Sequence, residues 1–151
     1  MKRLYLVDNS VWGRVHLSDD VADAVGRLLE TGELANCLPS VLEQGYSARS
    51  LSEHVRMVAF ALGVVFLPLT REIADIAIDL QRKLFQVGKG RAVGVSDLQI
   101  AATAIHHSDQ TQEVVVVHYD SDFDHLSEVE PRLLAHWVVP RGTIDASVQS
   151  N

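Results

Sequence analysis

The distribution of apolar residues along the chain predicts strands and helices that take turns. Short runs that are apolar on both faces are the predicted strands, at residues 3–8, 34–40, 64–69, 113–120 and 133–140. Between them, apolar residues recur every three or four positions, which predicts helices at residues 18–33, 41–50, 50–62, 71–87 and 96–108. Strands of this kind that alternate with helices are typical of a parallel sheet covered on both sides.

Residues at the predicted helix starts support these assignments. Ser18 is placed to cap the helix that follows it, because a serine hydroxyl accepts a hydrogen bond from the free N–H groups of a first turn. Two further pairs have the three-residue spacing of a capping box. They are Ser50 with Glu53, and Ser96 with Gln99.

The size and composition of the chain fit one globular domain. Its 151 residues, 47% of them hydrophobic and 22% charged, are enough for a continuous core. We expect the domain to cover residues 1–139 and a polar tail to cover residues 140–151. Cys37 is the only cysteine, which excludes an intrachain disulfide and a thiolate metal cluster.

Charge and hydropathy narrow the class of protein. The longest apolar run, residues 57–69, is too short to span a membrane, and the N-terminal residues lack a signal-peptide pattern. We therefore expect a cytoplasmic protein. The net charge of −7 argues against a general nucleic-acid coat protein. It does not exclude a nuclease, because bound cations offset the charge of carboxylates that hold them.

Four acidic residues fall where a surface charge is not expected. Asp8 and Asp120 directly follow apolar strands. Glu43 follows the second strand in a mostly apolar segment, and Asp97 occupies the first turn of an apolar helix. Each alone is explained more simply as a cap or turn residue. Together they indicate a site for Mg²⁺ or Mn²⁺, because parallel strands end at one edge of a sheet and clustered carboxylates repel unless a cation neutralises them.

Four segments of the sequence resemble the motifs of one nuclease family. "YLVDNSVW", "LPSVLEQGYSAR", "GVSDLQIAATA" and "VVVHYDSDF" are similar, in order and approximate spacing, to the motif blocks of the PIN-domain nucleases, above all the VapC-type toxins. The likeness runs from about residue 3 to about residue 139. It implies a three-layer α/β/α sandwich, a Mg²⁺ or Mn²⁺ site and endoribonuclease activity on RNA. It also implies a homodimer and a cognate antitoxin protein.

The resemblance assigns roles by position. The family's acidic quartet corresponds to Asp8, Glu43, Asp97 and Asp120. The three aspartates are then the expected metal ligands, and Glu43 is a further ligand or the group that orients the attacking water. Ser10 matches a hydroxyl commonly found two residues after the first aspartate. Asp122 matches an acid expected to support the metal through a water, whereas we expect Asp124 to be a first-turn helix charge.

Contacts to the phosphates of an RNA backbone require basic side chains, of which this acidic chain has few. Lys89 and Arg91 lie on the Gly-rich loop before Asp97, and Arg14 follows the first motif, so these three are the candidates. A solvated hinge explains the same loop equally well. The seven histidines show no zinc-binding spacing.

Other functions stay open at the level of the sequence. One is an RNA-processing nuclease of the same kind without an antitoxin, and another is a PIN-like scaffold with weak or no hydrolysis. An EF-hand is excluded at residues 120–131, because His125 and Pro131 stand where the loop needs Gly and Glu. A phosphotransferase of the haloacid-dehalogenase type is disfavoured, because the first strand is not followed by two acids.

Overall fold

The structure, a computed structural model, describes residues 1–144 and places helices on both sides of a five-stranded sheet. The strands are β1 (Lys2–Val7), β2 (Glu33–Cys37), β3 (Val65–Leu67), β4 (Gln112–His118) and β5 (Ala135–Trp137). The helices are α1 (Asn9–Trp12), α2 (Asp19–Leu28), α3 (Leu38–Tyr46), α4 (Leu51–Leu62), α5 (Arg71–Gln86), α6 (Val95–His107) and α7 (Asp122–Val129). All strand pairs are parallel, in the order β3-β2-β1-β4-β5. The predicted α/β sandwich is confirmed.

The sheet separates two apolar clusters. Alternate residues of a strand point to opposite faces, so Leu4 and Leu6 of β1 enter one cluster while Tyr5 and Val7 enter the other. Helices α5, α6 and α7 complete the first cluster, and α1 and α2 complete the second. The central strands are therefore buried on both faces, which explains why "VVVV" at residues 114–117 carries no polar alternation.

Helix starts follow the sequence in two of the three predicted cases. The Ser18 hydroxyl accepts a hydrogen bond from Val21 N, and the Ser50 hydroxyl accepts one from Glu53 N at 3.1 Å. The predicted capping box at Ser96 is wrong. Helix α6 begins at Val95 with Gly94 as its N-cap, so Ser96 already lies inside the first turn.

Two local features differ from the predicted elements. Strand β2 ends at Cys37, and Pro39 lies in the first turn of α3, which begins at Leu38, instead of ending the strand. Proline is tolerated in a first helical turn because the N–H groups there have no partner within the helix. The short helix α1 was not predicted; it begins on the Asp8 side chain, which accepts a hydrogen bond from Ser10 N.

The segment after β5 packs on the domain as far as the description reaches. The Tyr119 hydroxyl accepts hydrogen bonds from the backbone N–H groups of Gly142 and Ile144, and Ile144 is 2% exposed. Residues 140–144 thus pack on the domain although they fall in the predicted polar tail. The rest of that predicted tail, residues 145–151, lies outside the described part of the chain. Between residues 1 and 144, none of the helices has the length and apolar character needed to cross a bilayer.

Candidate active site

Three carboxylates meet at the carboxyl edge of the sheet. The register pairs Val7 of β1 with Val117 of β4, so the residues after both strands emerge at the same place. Asp8, Asp97 and Asp120 each offer an oxygen atom, and these oxygen atoms all lie within 4.8 Å of one another. Asp8 is 3% exposed and Asp97 is 9% exposed. The structure therefore brings together the three aspartates that were predicted as metal ligands.

Asp8 has one oxygen engaged and one oxygen without a partner. Its Oδ2 accepts a hydrogen bond from Ser10 N at 3.0 Å. Its Oδ1 is buried and has no hydrogen-bond donor among the described residues. Burial raises the pKa of Asp8, and hydrogen bonds from Ser10 oppose that rise. A buried carboxylate oxygen without a donor is costly unless another positive group reaches it.

Ser10 links the ends of the two central strands. Its hydroxyl accepts a hydrogen bond from Tyr119 N at 2.9 Å, while its own backbone N–H donates to Asp8. The chain after β4 is thereby fixed beside the chain after β1. The supporting role of Ser10 that the resemblance implies stays a prediction.

Asp97 is paired directly with Asp122. Burial raises the pKa of Asp97 to about 9, helped by a side-chain hydrogen bond with Asp122 and by the charges of Asp8 and Asp120. Asp122 also accepts a hydrogen bond from Gly94 N at 3.0 Å and donates its own N–H to Asp120 Oδ1 at 2.9 Å. Asp122 therefore connects the start of α6 to the end of β4. This direct contact was not predicted from the sequence.

Glu43 lies beside the three aspartates and not among them. Its negative charge contributes to the raised pKa of Asp8, which places the two groups within electrostatic reach. It also lines a cavity of about 440 Å³ between α3 and the start of α6. Glu43 is thus separate from the group of three carboxylates and faces open space next to it.

These residues fit a divalent cation. The buried Oδ1 of Asp8 has no hydrogen-bond donor and the pKa of Asp97 is raised, as expected where no positive group within residues 1–144 offsets clustered carboxylates. An all-oxygen donor set suits Mg²⁺ or Mn²⁺. Asp8, Asp97 and Asp120 would hold the ion.

The three predicted cations occupy different surroundings. Arg14 donates from Nη1 to the Ser10 carbonyl at 2.7 Å and lies 4.9 Å from the centre of the Tyr119 ring, so it contacts residues that flank Asp8 and Asp120 in the chain. Lys89 forms a 2.6 Å ion pair with Glu128 on α7. Arg91 is exposed and has no ion pair within the described part of the chain.

Two further residues, His118 and Asp124, make hydrogen bonds that fix the chain around Asp120 and helix α7. The sequence did not assign them this role. His118 is 1% exposed, and burial lowers its pKa to about 4, so the neutral ring accepts a hydrogen bond from Asp120 N at 3.3 Å. Asp124 accepts a hydrogen bond from Trp137 Nε1 at 3.0 Å and so ties α7 to β5. Asp124 is more than a first-turn charge, and only the three-dimensional arrangement shows this.

Comparison with known proteins places the chain in a family. The model of the PIN domain matches residues 5–129, and the chain belongs to the PIN domain family. It is 37% identical over 146 residues to Ribonuclease VapC21 of Mycobacterium tuberculosis, an alignment that covers 95% of this chain and 99% of the relative.

Solved structures show the same fold at low sequence identity. VapBC2 from Rickettsia felis, solved with a DNA fragment from its promoter, matches with a TM-score of 0.69 and 16% identity over 89% of this chain and 98% of the other. VapBC-5 from Mycobacterium tuberculosis is described as a member of the VapBC family of toxin–antitoxin systems. It matches with a TM-score of 0.52 and 20% identity, over 69% of this chain and 79% of the other.

Proposed function

We propose that this protein is a metal-dependent endoribonuclease and the toxin of a toxin–antitoxin pair. The observation that carries the proposal is the group formed by Asp8, Asp97 and Asp120, whose oxygens lie within 4.8 Å of one another in a chain of the PIN domain family. The similarity to a ribonuclease over 95% of the chain supports RNA as the substrate. Mg²⁺ or Mn²⁺ is the cofactor, and the cytoplasm is the expected location.

The chemistry divides among the acidic residues. A bound divalent cation supplies the positive charge that acidifies a water and stabilises the oxygens of the phosphate. Asp8, Asp97 and Asp120 hold that charge at the edge of the sheet. Glu43, beside them, orients the attacking water and accepts its proton as the water oxygen bonds to phosphorus. The bond from phosphorus to the ribose oxygen breaks, and the leaving oxygen takes a proton from solvent water. We assign to Arg14, which is held on the Ser10 carbonyl, a contact with a phosphate of the substrate.

Cleavage of total RNA tests the nuclease. We expect the purified protein to cut RNA with added Mg²⁺ or Mn²⁺ and the Asp97→Ala variant to lose activity by at least about 100-fold, because one of three ligands is gone. Asp23→Ala, a change of an exposed aspartate on α2, is the matched control and should cut normally. The proposal fails if Asp97→Ala cuts as fast as the parent.

Binding of the cation is measured separately from cleavage. Mn²⁺ should raise the melting temperature of the wild-type protein, because a ligand that binds only the folded state stabilises it. Asp97→Ala should show a much smaller rise and Asp23→Ala an unchanged one. Equal stabilisation of all three proteins would contradict the assigned ligands.

An apolar surface on α4 supports a protein partner. Within that helix only Ala61 is buried, whereas Val55 and Phe60 are 57% and 60% exposed. The Phe60 ring contacts Trp12 of α1 at 5.6 Å between centroids, so the apolar surface continues toward the site. An exposed apolar patch of this kind marks an interaction surface. We assign it to the antitoxin.

Co-purification with a small protein encoded beside this chain tests the partner. Phe60→Asp should abolish the complex, while Leu29→Asp, at a residue 58% exposed beyond the end of α2, should leave it intact. A complex that survives Phe60→Asp would contradict the assignment of the α4 surface. The expected homodimer is measured by light scattering of the protein alone.

A further inference from the structure

The cavity beside Glu43 has a lining that differs from the acidic group it adjoins. Its volume is about 440 Å³, within the range of about 300–1,000 Å³ that is usual for ligand pockets. Asn9 of α1 and Ser96 and Gln99 of α6 contribute its polar side chains. None of these three side chains makes a hydrogen bond to another residue between 1 and 144, and all three are half-buried. Their donors and acceptors are therefore available to a ligand.

The charge of the lining selects the part of an RNA that can enter. No lysine or arginine lines this cavity in the described chain, and Glu43 stands at its border with the carboxylates. A phosphate would be repelled there, because like charges in a partly buried site raise the free energy of binding. An uncharged base is not repelled. Side-chain amides such as those of Asn9 and Gln99 donate and accept at once, which matches the edge of a base.

The same cavity offers a surface for stacking. Leu42 and Tyr46, both on α3, line it, and Tyr46 is 93% exposed. An exposed aromatic ring next to free amide groups is the combination with which proteins hold unpaired bases. A base inside a duplex cannot reach such a cavity, because its edge is already paired and its faces are stacked.

We propose that this cavity is a subsite for one unstacked nucleobase next to the phosphate that is cut. Gln99 reads the edge of the base, and Tyr46 supports its face. The sequence preference of cleavage then comes from one flanking base, which must be unpaired to enter the cavity. The subsite rests on the proposed nuclease function, because the acidic group beside it supplies the cleaved phosphate.

Short RNAs that differ at one base test the subsite. Four oligonucleotides, identical except for the base beside the mapped cut, are compared by kcat/KM for the wild type. We expect one base to be preferred, and the same sequence annealed to its complement to be cut poorly. Gln99→Ala should reduce kcat/KM for the preferred base by about 5- to 100-fold and the others less, so that the preference flattens. Gln81→Ala, an exposed glutamine of α5, is the control and should keep the preference.

Tyr46 is tested by a pair of variants. Tyr46→Ala should weaken binding of every single strand by about 5- to 100-fold, because stacking does not distinguish bases, and Tyr46→Phe should restore it because the ring remains. Binding is measured by fluorescence anisotropy in Ca²⁺, independently of cleavage. If Gln99→Ala changes all four bases equally or not at all, the subsite is wrong.

The outcomes separate the subsite from the nuclease. If the wild type cuts RNA with a preference that none of the variants alters, the subsite fails and the nuclease stands. If single strands bind with a preference that Gln99→Ala removes, but nothing is cut in Mg²⁺ or Mn²⁺, the nuclease fails and the subsite stands. A wild type that neither binds nor cuts RNA overturns both.

Discussion

At the scale of one residue, the surroundings of Asp97 raise the pKa of its carboxyl group. Its carboxyl group is buried, touches Asp122, and feels the charges of Asp8 and Asp120, so its pKa rises to about 9 in the protein without a cation. The proton replaces the missing positive charge. A cation must displace this proton to bind, and we therefore expect Mn²⁺ affinity to increase with pH.

The same proton makes the stability of the metal-free protein depend on pH. The ordinary pKa of an aspartate is 3.8, and that of Asp97 is about 9 in the folded protein, so between these values the folded state holds a proton that the unfolded state lacks. The contribution of Asp97 to the free energy of unfolding is then largest below about pH 4 and falls as the pH rises toward 9. Asp97→Asn, which cannot ionise, should flatten this fall.

Urea unfolding in EDTA at pH 5, 7 and 9 measures the effect of Asp97. The wild type should lose stability steadily over this series, and Asp97→Asn should lose much less. Asp23→Asn, on the surface of α2, should behave like the wild type. Parallel curves for the wild type and Asp97→Asn would show that Asp97 is ionised in the folded protein.

Ser10 contributes through its hydroxyl group. The hydroxyl accepts from Tyr119 N at 2.9 Å, so Ser10→Ala leaves a half-buried N–H without its acceptor. We expect a loss of about 1–3 kcal/mol in the free energy of unfolding, together with slower RNA cleavage, because Asp8 and Asp120 lose the link between them. Ser10→Thr keeps the hydroxyl and should recover most of both. Equal losses in the two variants would contradict this role.

At the scale of elements, the segment after α7 is held to α5 by charges. The side chain of Glu130 is 3% exposed and accepts hydrogen bonds from Lys83 Nζ at 2.9 Å and from Arg132 Nη2 at 2.8 Å. The hydrogen bond from Arg132, followed by that from Lys83, lowers the pKa of Glu130 to about 2 against the opposing effect of burial. Helix α5 and the segment after α7, which are far apart in the sequence, are thus joined at the buried carboxylate of Glu130.

Glu130→Gln should lower the free energy of unfolding by about 1–3 kcal/mol at pH 7, because it weakens two charge-assisted hydrogen bonds. A lowered carboxyl pKa stabilises the fold above the ordinary value of 4.5, and this contribution is lost as the pH falls toward 2. The difference between wild type and variant should therefore shrink over that range in thermal unfolding. Glu128→Gln, two residues earlier and 61% exposed, is the control and should change little.

The elements also show how far the sequence predicts this fold. Strands β1 and β4 were predictable because burial on both faces leaves unbroken apolar runs, and Asp8 and Asp120 stand out directly after them. Asp97 was predictable from its place in an apolar helix. The start of α6 was not, because Gly94 caps it without a side chain. The contacts of Asp122 and Asp124 depend on how α7 lies against α6 and β5, which no local pattern encodes.

At the scale of the whole molecule, the chain beyond β5 belongs to the domain at least through residue 144. Ile144 is 2% exposed in the cluster that Val11 and Val21 also enter, and it packs near Tyr119. The sequence placed it in a polar tail, because one apolar residue among polar neighbours has no periodicity to reveal it. The Tyr119 ring in turn lies under the Arg14 guanidinium, so Tyr119 contacts both the segment after β5 and Arg14.

Ile144→Ala tests whether that segment is part of the folding unit. Removing a buried isoleucine side chain leaves a cavity and should cost about 2–5 kcal/mol in the free energy of unfolding. Ile78→Ala, a change on α5 at a residue 66% exposed, is the matched control and should cost far less. Denaturant unfolding of both variants measures the difference. Because Tyr119 supports Arg14, Ile144→Ala should also raise the KM for RNA more than it lowers kcat. An Ile144→Ala variant as stable as Ile78→Ala would instead place the end of the folding unit at residue 139.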